Sequence, residues 1–307
     1  MGQNLNPWFV TGLTDADGNF SVSVVRGRTA LGWTVNLSYS IVAANNSANR
    51  WMLEQIQSFF GGKGSININI SDFSLNYTVY GLSNCLIIRE HFLAYPLITY
   101  KLVYFLLWSA VLDLMVSKAH LTWKGLLQII AYKAYFKMGL SDMLKAIFVD
   151  FIPVVVFPYL PDLALINTHW VAGFINGDGG FSVTVRRASD TLLGERVSLE
   201  INIVQHEISL KALQRAAEVL SCGQIKPKTG KAAYRWRVAG IKDINQVVAA
   251  FTDNGVRFLG AKALDYADFC KALSLINSKD HLTREGLTII KSLSAGMNST
   301  RTDFGSN

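Results

Sequence analysis

The chain has 307 residues, half of them apolar, with 29 Lys and Arg against 22 Asp and Glu, a net charge of +7 and a pI near 9.2. That length holds one large domain or two of about 150 residues, the apolar fraction excludes a disordered chain, and the basic balance favours a polyanionic partner. Three lone cysteines (Cys85, Cys222, Cys270) and five scattered histidines exclude a disulfide framework and a zinc site, and fit a reducing compartment.

The start of the chain carries neither the apolar core of a signal peptide nor an Arg-rich transit sequence, so no import address is expected. Asn6-Pro7 opens a first helix, proline suiting the opening turn, and VTGLTDADG carries it to Gly18. Alternation then takes over. Phe20, Val22 and Val24 fall on one face and Asn19, Ser21, Ser23 and Val25 on the other, as in a half-buried strand. VNLSYSIV reads as a second strand and WMLEQIQSFFGGKG as a helix closed by glycine. A third strand should turn Ile66, Ile68 and Ile70 inward and Ser65, Asn67 and Asn69 outward, and a helix from about Tyr100 completes this half. The apolar run Leu102–Leu112 is far short of the ~20 residues of a membrane span, so it is expected as a buried helix, with Phe151–Leu160 as a packed linker.

The series then recurs. Phe181, Val183 and Val185 alternate with Gly180, Ser182, Thr184 and Arg186, and VSLEINIV and LKALQRAAEVLSCG repeat the strand and helix. Tyr234, Trp236 and Val238 point inward against Arg235 and Arg237, and a helix from about Ala261 closes the second half. Asp17 and Asp178, Phe20 and Phe181, Lys101 and Lys262, His120 and His281, and Gly125 and Gly286 are all 161 residues apart. A repeat of that length predicts two tandem α+β domains, each αββαββα.

Within the repeated motif, Gly12 with Ala16 and Gly173 with Gly177 place small residues four apart, which lets two helices approach closely. Asp17 and Asp178 then sit at helix C-termini, where the helix dipole disfavours negative charge. If the helices pair in parallel, the two carboxylates also approach each other, and a cation relieves both penalties. Asp15 is answered by Asn176 while Asp17 is answered by Asp178, which assigns metal binding to the latter pair and a capping or packing role to Asp15. A domain interface with incidental acids is the plainer alternative.

VTGLTDADG and VAGFINGDG resemble the two motifs of the single-chain LAGLIDADG homing endonucleases. FFGGKGSI, YPLITYK, the two HLTxxGL segments, GAKALDYADFCK and the closing AGMN resemble, in order, the group encoded in fungal mitochondrial introns. The resemblance implies a saddle of two antiparallel sheets related by pseudo-twofold symmetry, in a monomer with domains over 1–147 and 169–307 and a linker over 148–168. It implies cleavage of both strands of a long, asymmetric duplex with short 3′ overhangs. Mg2+ is the expected cofactor, Mn2+ substituting and Ca2+ supporting binding without cleavage. Residue by residue, it gives Asp17 and Asp178 as metal-binding acids, the carbonyls of Ala16 and Gly177 as further groups facing the metal, and Lys101 and Lys262 as lysines beside the reacting phosphates. Gln205 matches a water-orienting position whose counterpart, Ala43, cannot act, so the strands are expected to be cut at unequal rates. A mitochondrial location rests on the resemblance alone.

Outward strand positions are the candidate DNA readers: Asn19, Ser21, Ser23, Ser38, Ser40, Asn67, Asn69, Ser182, Thr184 and Asn202, with Arg186, Lys226, Lys228, Arg235 and Arg237 reaching guanines or phosphates. Arg26, Arg28, Lys63, Arg187 and Arg196, near strand ends, read as phosphate contacts. An alternating polar face is equally what any solvated sheet shows. Basic groups are denser in the second half, which is expected to contribute more of the affinity. Two other readings remain open: an RNA maturase acting on host intron RNA, and a non-catalytic two-domain DNA-binding module, which would predict loss of a motif acid.

Overall fold

The computed structural model describes residues 5–152, 154 and 165–304. Helix α1 spans Pro7–Asp17; Pro7 occupies its first position, where no N–H is needed, and the Asn6 side chain accepts from the Trp8 N–H at 2.9 Å. There follow β1 (Gly18–Arg26), β2 (Trp33–Ala43), α2 (Ser47–Phe59), β3 (Ser65–Ile68), β4 (Leu75–Tyr80) and α3 (Leu82–Ala94). The second half repeats the unit as α7 (Thr168–Asp178), β5 (Gly179–Arg187), β6 (Glu195–His206), α8 (Leu210–Leu220), β7 (Gln224–Pro227), β8 (Ala233–Val238) and α9 (Ile241–Asp253). Each unit makes a four-stranded antiparallel sheet, in the orders β1-β2-β4-β3 and β5-β6-β8-β7.

The αββαββα units are therefore present twice, but the closing helices are α3 and α9 rather than helices at Tyr100 and Ala261. The latter are additional elements. In the first half α4 (Lys101–Val116), α5 (Trp123–Tyr135) and α6 (Asp142–Ile147) come after the unit, and in the second α10 (Ala261–Asn277) and α11 (Arg284–Ala295). In α3, Cys85, Ile88 and Phe92 are buried while Leu82, Ile87 and Leu93 are exposed, so apolar residues surround the helix and blur its 3.6-residue period. Its counterpart α9 buries a clean stripe of Ile244, Val247 and Phe251.

Side chains alternate along the strands as the pleat requires, one face going under the helices. Phe20 lies 5.4–5.5 Å, ring centre to ring centre, from Tyr39, Phe92, Phe105 and Trp108. Phe181 fills the same slot in the second half against Phe258, Tyr266 and Phe269. The expected inward turn of Ile68 and Ile70 is corrected here. Strand β3 ends at Ile68, the Asn69 N–H bonds Ser74 O in the turn to β4, and Ile70, lying in that turn, is 87% exposed.

The run Leu102–Leu112 lies in α4, which buries Leu102, Phe105, Leu107, Trp108, Val111 and Leu112. No helix among the described residues is long and apolar enough to cross a membrane. Most of the linker run Phe151–Leu160 lies outside the described residues, but Phe148 packs between Trp33 and Trp123 at 5.1 and 5.4 Å.

Candidate active site and flanking sheets

Helices α1 and α7 run parallel in close contact at the centre of the molecule. A Cβ on Gly12 would lie 2.0 Å from Trp170 O and 2.9 Å from Phe174 N, and one on Gly173 would lie 2.1 Å from Phe9 O. A Cβ on Gly177 would meet Ala16 Cβ at 2.4 Å and the Asp17 carboxylate at 2.8 Å. Only glycine allows backbones this near. The contact brings the C-terminal ends of both helices, and with them Asp17 and Asp178, to one spot where the sheets meet.

Asp15 has a different role from Asp17. It is buried and accepts from Ile98 N–H, Thr99 N–H, the Thr99 hydroxyl and, across the interface, Trp170 Nε1–H at 2.9 Å. Asn176, at the matching place, accepts from Leu259 N–H at 2.9 Å. Each pins its motif helix to the segment leading into the next lysine-bearing helix, so the packing role expected for Asp15 is what its surroundings show.

Those lysine helices are also held across the molecule. The Asn49 side chain, on α2, accepts from Ala261 N–H at 2.9 Å, and Ser209 Oγ, preceding α8, accepts from Tyr100 N–H at 3.3 Å. Lys101 and Lys262 are the next residues along. Lys101 is buried and donates to the carbonyls of Thr14 and Ala16, and Lys262 donates to Gly179 O at 2.7 Å. The Ala16 carbonyl is thus engaged by an ammonium here. Gln205, buried on β6, donates from Nε2 to the Asp178 carboxylate, so it aims that acid directly. Ala43, on β2, offers Asp17 no such bond.

Asp17 and Asp178 expose their carboxylates to solvent but are walled by protein on most sides. Burial raises Asp17 above the ordinary carboxylate range, partly opposed by Lys101 and Lys262. Asp178 is pushed up to about 6, by burial first and then by the charge of Asp17. Burial lowers both lysines. Two acids that repel each other in a semi-enclosed place fit a divalent cation. Among the described residues no three His, Cys, Asp or Glu gather as a full cage, and two carboxylates completed by phosphate oxygens is a donor set that suits Mg2+ rather than zinc. Beside Asp17, a hollow of about 430 Å3 lined by Ala43, Asn49, Gly177, Lys262, Asp265 and Asn298 leaves room for a phosphate.

The outward faces of the two sheets flank this spot. On the first lie Asn19, Ser21, Ser23, Ser38, Ser40 and Asn67, with Asn36 and Asn76 in phase with them and missed from the sequence although VNLSYSIV shows Asn36. Asn69, Lys63 and Arg28 are exposed in the connecting turns. On the second lie Ser182, Thr184, Arg186, Arg196, Asn202, Lys226, Arg235 and Arg237, with Lys228 just beyond β7. Arg26 is in phase with the core-facing residues at the end of β1, where it stays exposed and lies 4.1 Å over the Trp33 ring. Arg187 likewise falls in the inward phase at the end of β5.

A family model described as "LAGLIDADG endonuclease" matches residues 10–112 and again 171–273. The chain belongs to the LAGLIDADG endonuclease family. It is similar to a Neurospora crassa protein named Probable intron-encoded endonuclease 3, 32% identical over 94% of this chain and 54% of that one. It resembles Probable intron-encoded endonuclease 2 of the same species at 32%, over 93% of this chain and 64% of that one. The chain thus spans between half and two thirds of the length of these curated relatives. Among solved structures, I-SmaMI bound to uncleaved DNA target in the presence of calcium ions superposes with a TM-score of 0.88 at 33% identity, over 96% of this chain and 99% of that one. I-LtrWI bound to target DNA gives 0.88 at 31%, over 96% and 98%. For this LAGLIDADG chain Asn49 and Ser209, which act by holding the starts of the two lysine-bearing helices, are legible only in the structure.

Proposed function

We propose that this LAGLIDADG protein is a site-specific DNA endonuclease acting as a single chain, with a unit over 1–147, a linker over 148–168 and a unit over 169–307. It makes a Mg2+-dependent double-strand break with short 3′ overhangs in a long, asymmetric target. The observation that carries this reading is the meeting of Asp17 and Asp178 at the ends of two parallel helices, between two outward polar sheets, with a lysine from each half beside them. Both sets of relatives support it by their names: intron-encoded endonucleases, and structures on target and on cleaved DNA. Curated relatives include intron-encoded proteins of Neurospora crassa and a Podospora anserina protein in ND4 intron 1, which supports a mitochondrial site of action.

The sheets position the duplex by phosphate contacts and read its bases from Asn19 to Asn67 on one side and Ser182 to Arg237 on the other. Asp17 and Asp178 would hold the cation, which would supply positive charge beside the scissile phosphoryl groups. Lys101 and Lys262 add fixed positive charge where the transition state gathers negative charge. Gln205 fixes the orientation of Asp178 and leaves its amide oxygen to align water. Because Ala43 cannot do the same for Asp17, the two strands face unequal sites. Gln205→Ala should slow cleavage of one strand by about 10–100-fold, so nicked duplex accumulates when each strand carries its own label. Protonated Asp178 cannot hold a cation, so cleavage should fall as pH drops below about 6. Raising Mg2+ should move that midpoint to lower pH, because cation and proton compete.

The decisive test is selection from a randomised duplex library, capturing in Ca2+ and releasing cleaved products in Mg2+ or Mn2+. Paired cuts at a fixed offset in one consensus support the reading. Absence of any duplex selectivity overturns it in favour of host intron RNA. Half-site competition at varied salt checks the larger share of affinity assigned to the second half.

A further inference from the structure

Among the described residues, the outward positions of the two sheets carry one acidic side chain. It is Glu200, at the middle of β6 opposite Ser182. At the matching place in the first half, opposite Ser21, stands Ser38. A carboxylate on a face that meets phosphates opposes binding, and ion pairs whose cations stay in solvent add little stability, so affinity does not explain it and folding does so only weakly.

Its contacts do. Glu200 Oε1 accepts from Arg235 Nη2 at 2.6 Å, and Oε2 accepts from Arg237 Nε. The acid is largely sheltered, at 18% exposure, while the arginines keep 42% and 51%. Taking Arg237 through Nε leaves its Nη1 and Nη2 unbonded to Glu200, the edge that matches guanine O6 and N7, whereas Arg235 gives the acid its Nη2. The acid also cancels one of two adjacent positive charges, weakening the pull of these arginines toward any passing phosphate. We propose that Glu200 is a specificity-determining residue: with Arg235 as its second anchor it holds Arg237 as a guanine reader and keeps both arginines from acting as general phosphate contacts. This rests on the DNA-recognition reading above.

Glu200→Gln and Glu200→Ala, with Arg237→Ala beside them, test it. Binding in Ca2+ is measured on the selected target and on an unrelated duplex across a salt series, and each variant is taken through the same library selection. Both Glu200 variants should bind the unrelated duplex about tenfold more tightly, with a log–log salt slope steeper by about one. The guanine preference of the second half-site should fall about tenfold. Arg237→Ala should lose the same preference with a shallower slope, and the melting temperature of the Glu200 variants should stay within about 2 °C of the parent. If both Glu200 variants keep the guanine preference, or shift target and unrelated duplex by one common factor, the assignment is overturned. Failure of the parent chain to select any duplex would overturn the underlying DNA reading instead, which the parallel parent selection reveals directly.

Discussion

Asp17→Asn or Asp178→Asn will lower double-strand cleavage by at least about 1000-fold, a barrier increase of ~4 kcal/mol, while binding to the selected target in Ca2+ stays within a few-fold. Asparagine keeps the shape and removes the charge that makes the site a cation holder. The substitution should at the same time make the protein more stable. Both acids have raised pKa values, so the folded chain binds their protons more tightly than the unfolded one, and keeping the pair ionised costs stability. That cost is greatest above about 6 and fades as pH falls toward the ordinary carboxylate value of 3.8. The melting temperature gained by Asp178→Asn should therefore be largest at neutral and alkaline pH and shrink through pH 6. Loss of cleavage with lowered stability at neutral pH would count against the carboxylates as a strained, functional pair. Both measurements use one preparation, a strand-resolved cleavage assay and thermal melts at several pH values.

Gly12→Ala should be the most damaging small substitution away from the acids. Its Cβ would fall 2.0 Å from Trp170 O, a backbone atom of a helix with no freedom to rotate aside, so α1 and α7 must separate. Overpacking costs about 1–3 kcal/mol where neighbours adjust; here the upper end applies, less the ~1 kcal/mol by which alanine favours a helix. A net loss of about 2 kcal/mol corresponds to roughly 4–8 °C in melting temperature. Function should suffer more than stability, because spreading the helices moves the acids apart, and a displacement of ~1 Å costs about 100-fold in rate. Gly173→Ala, at 2.1 Å from Phe9 O, should behave alike. A variant that melts low yet cleaves at the parental rate would show that the helix contact does not set the site.

The fold was largely legible because the chain states it twice. Residues that alternate in one copy and again 161 positions later, such as Phe20 with Phe181, leave little doubt about strand phase. What failed to show was local and physical. Helix α3 carries apolar residues on its exposed face as well as its buried one, and Ile70 reads as a continuing strand although the chain turns away at Asn69. Arg26 is an exposed cation that also lies over the Trp33 ring, a contact set by the cross-strand pairing of Arg26 with Trp33, which the sequence does not display. In the site, Asp17, Asp178, Lys101 and Lys262 are visible because they recur in register. Asn49, Ser209 and Glu200 do not announce themselves, as their partners are 212, 109 and 35 to 37 residues away along the chain.

The reciprocal holds of Asn49 on Ala261 and of Ser209 on Tyr100 bear on how such a chain can change. Each half starts the helix that carries the other half's lysine, so neither is a free-standing module that recombination can trade for a homologous one. A hybrid joining one half to a relative's would inherit outward residues for a new target but mismatched hands on the lysine helices. Because both donors are backbone N–H groups, the residues whose identity matters at this seam are Asn49 and Ser209 rather than Ala261 and Tyr100.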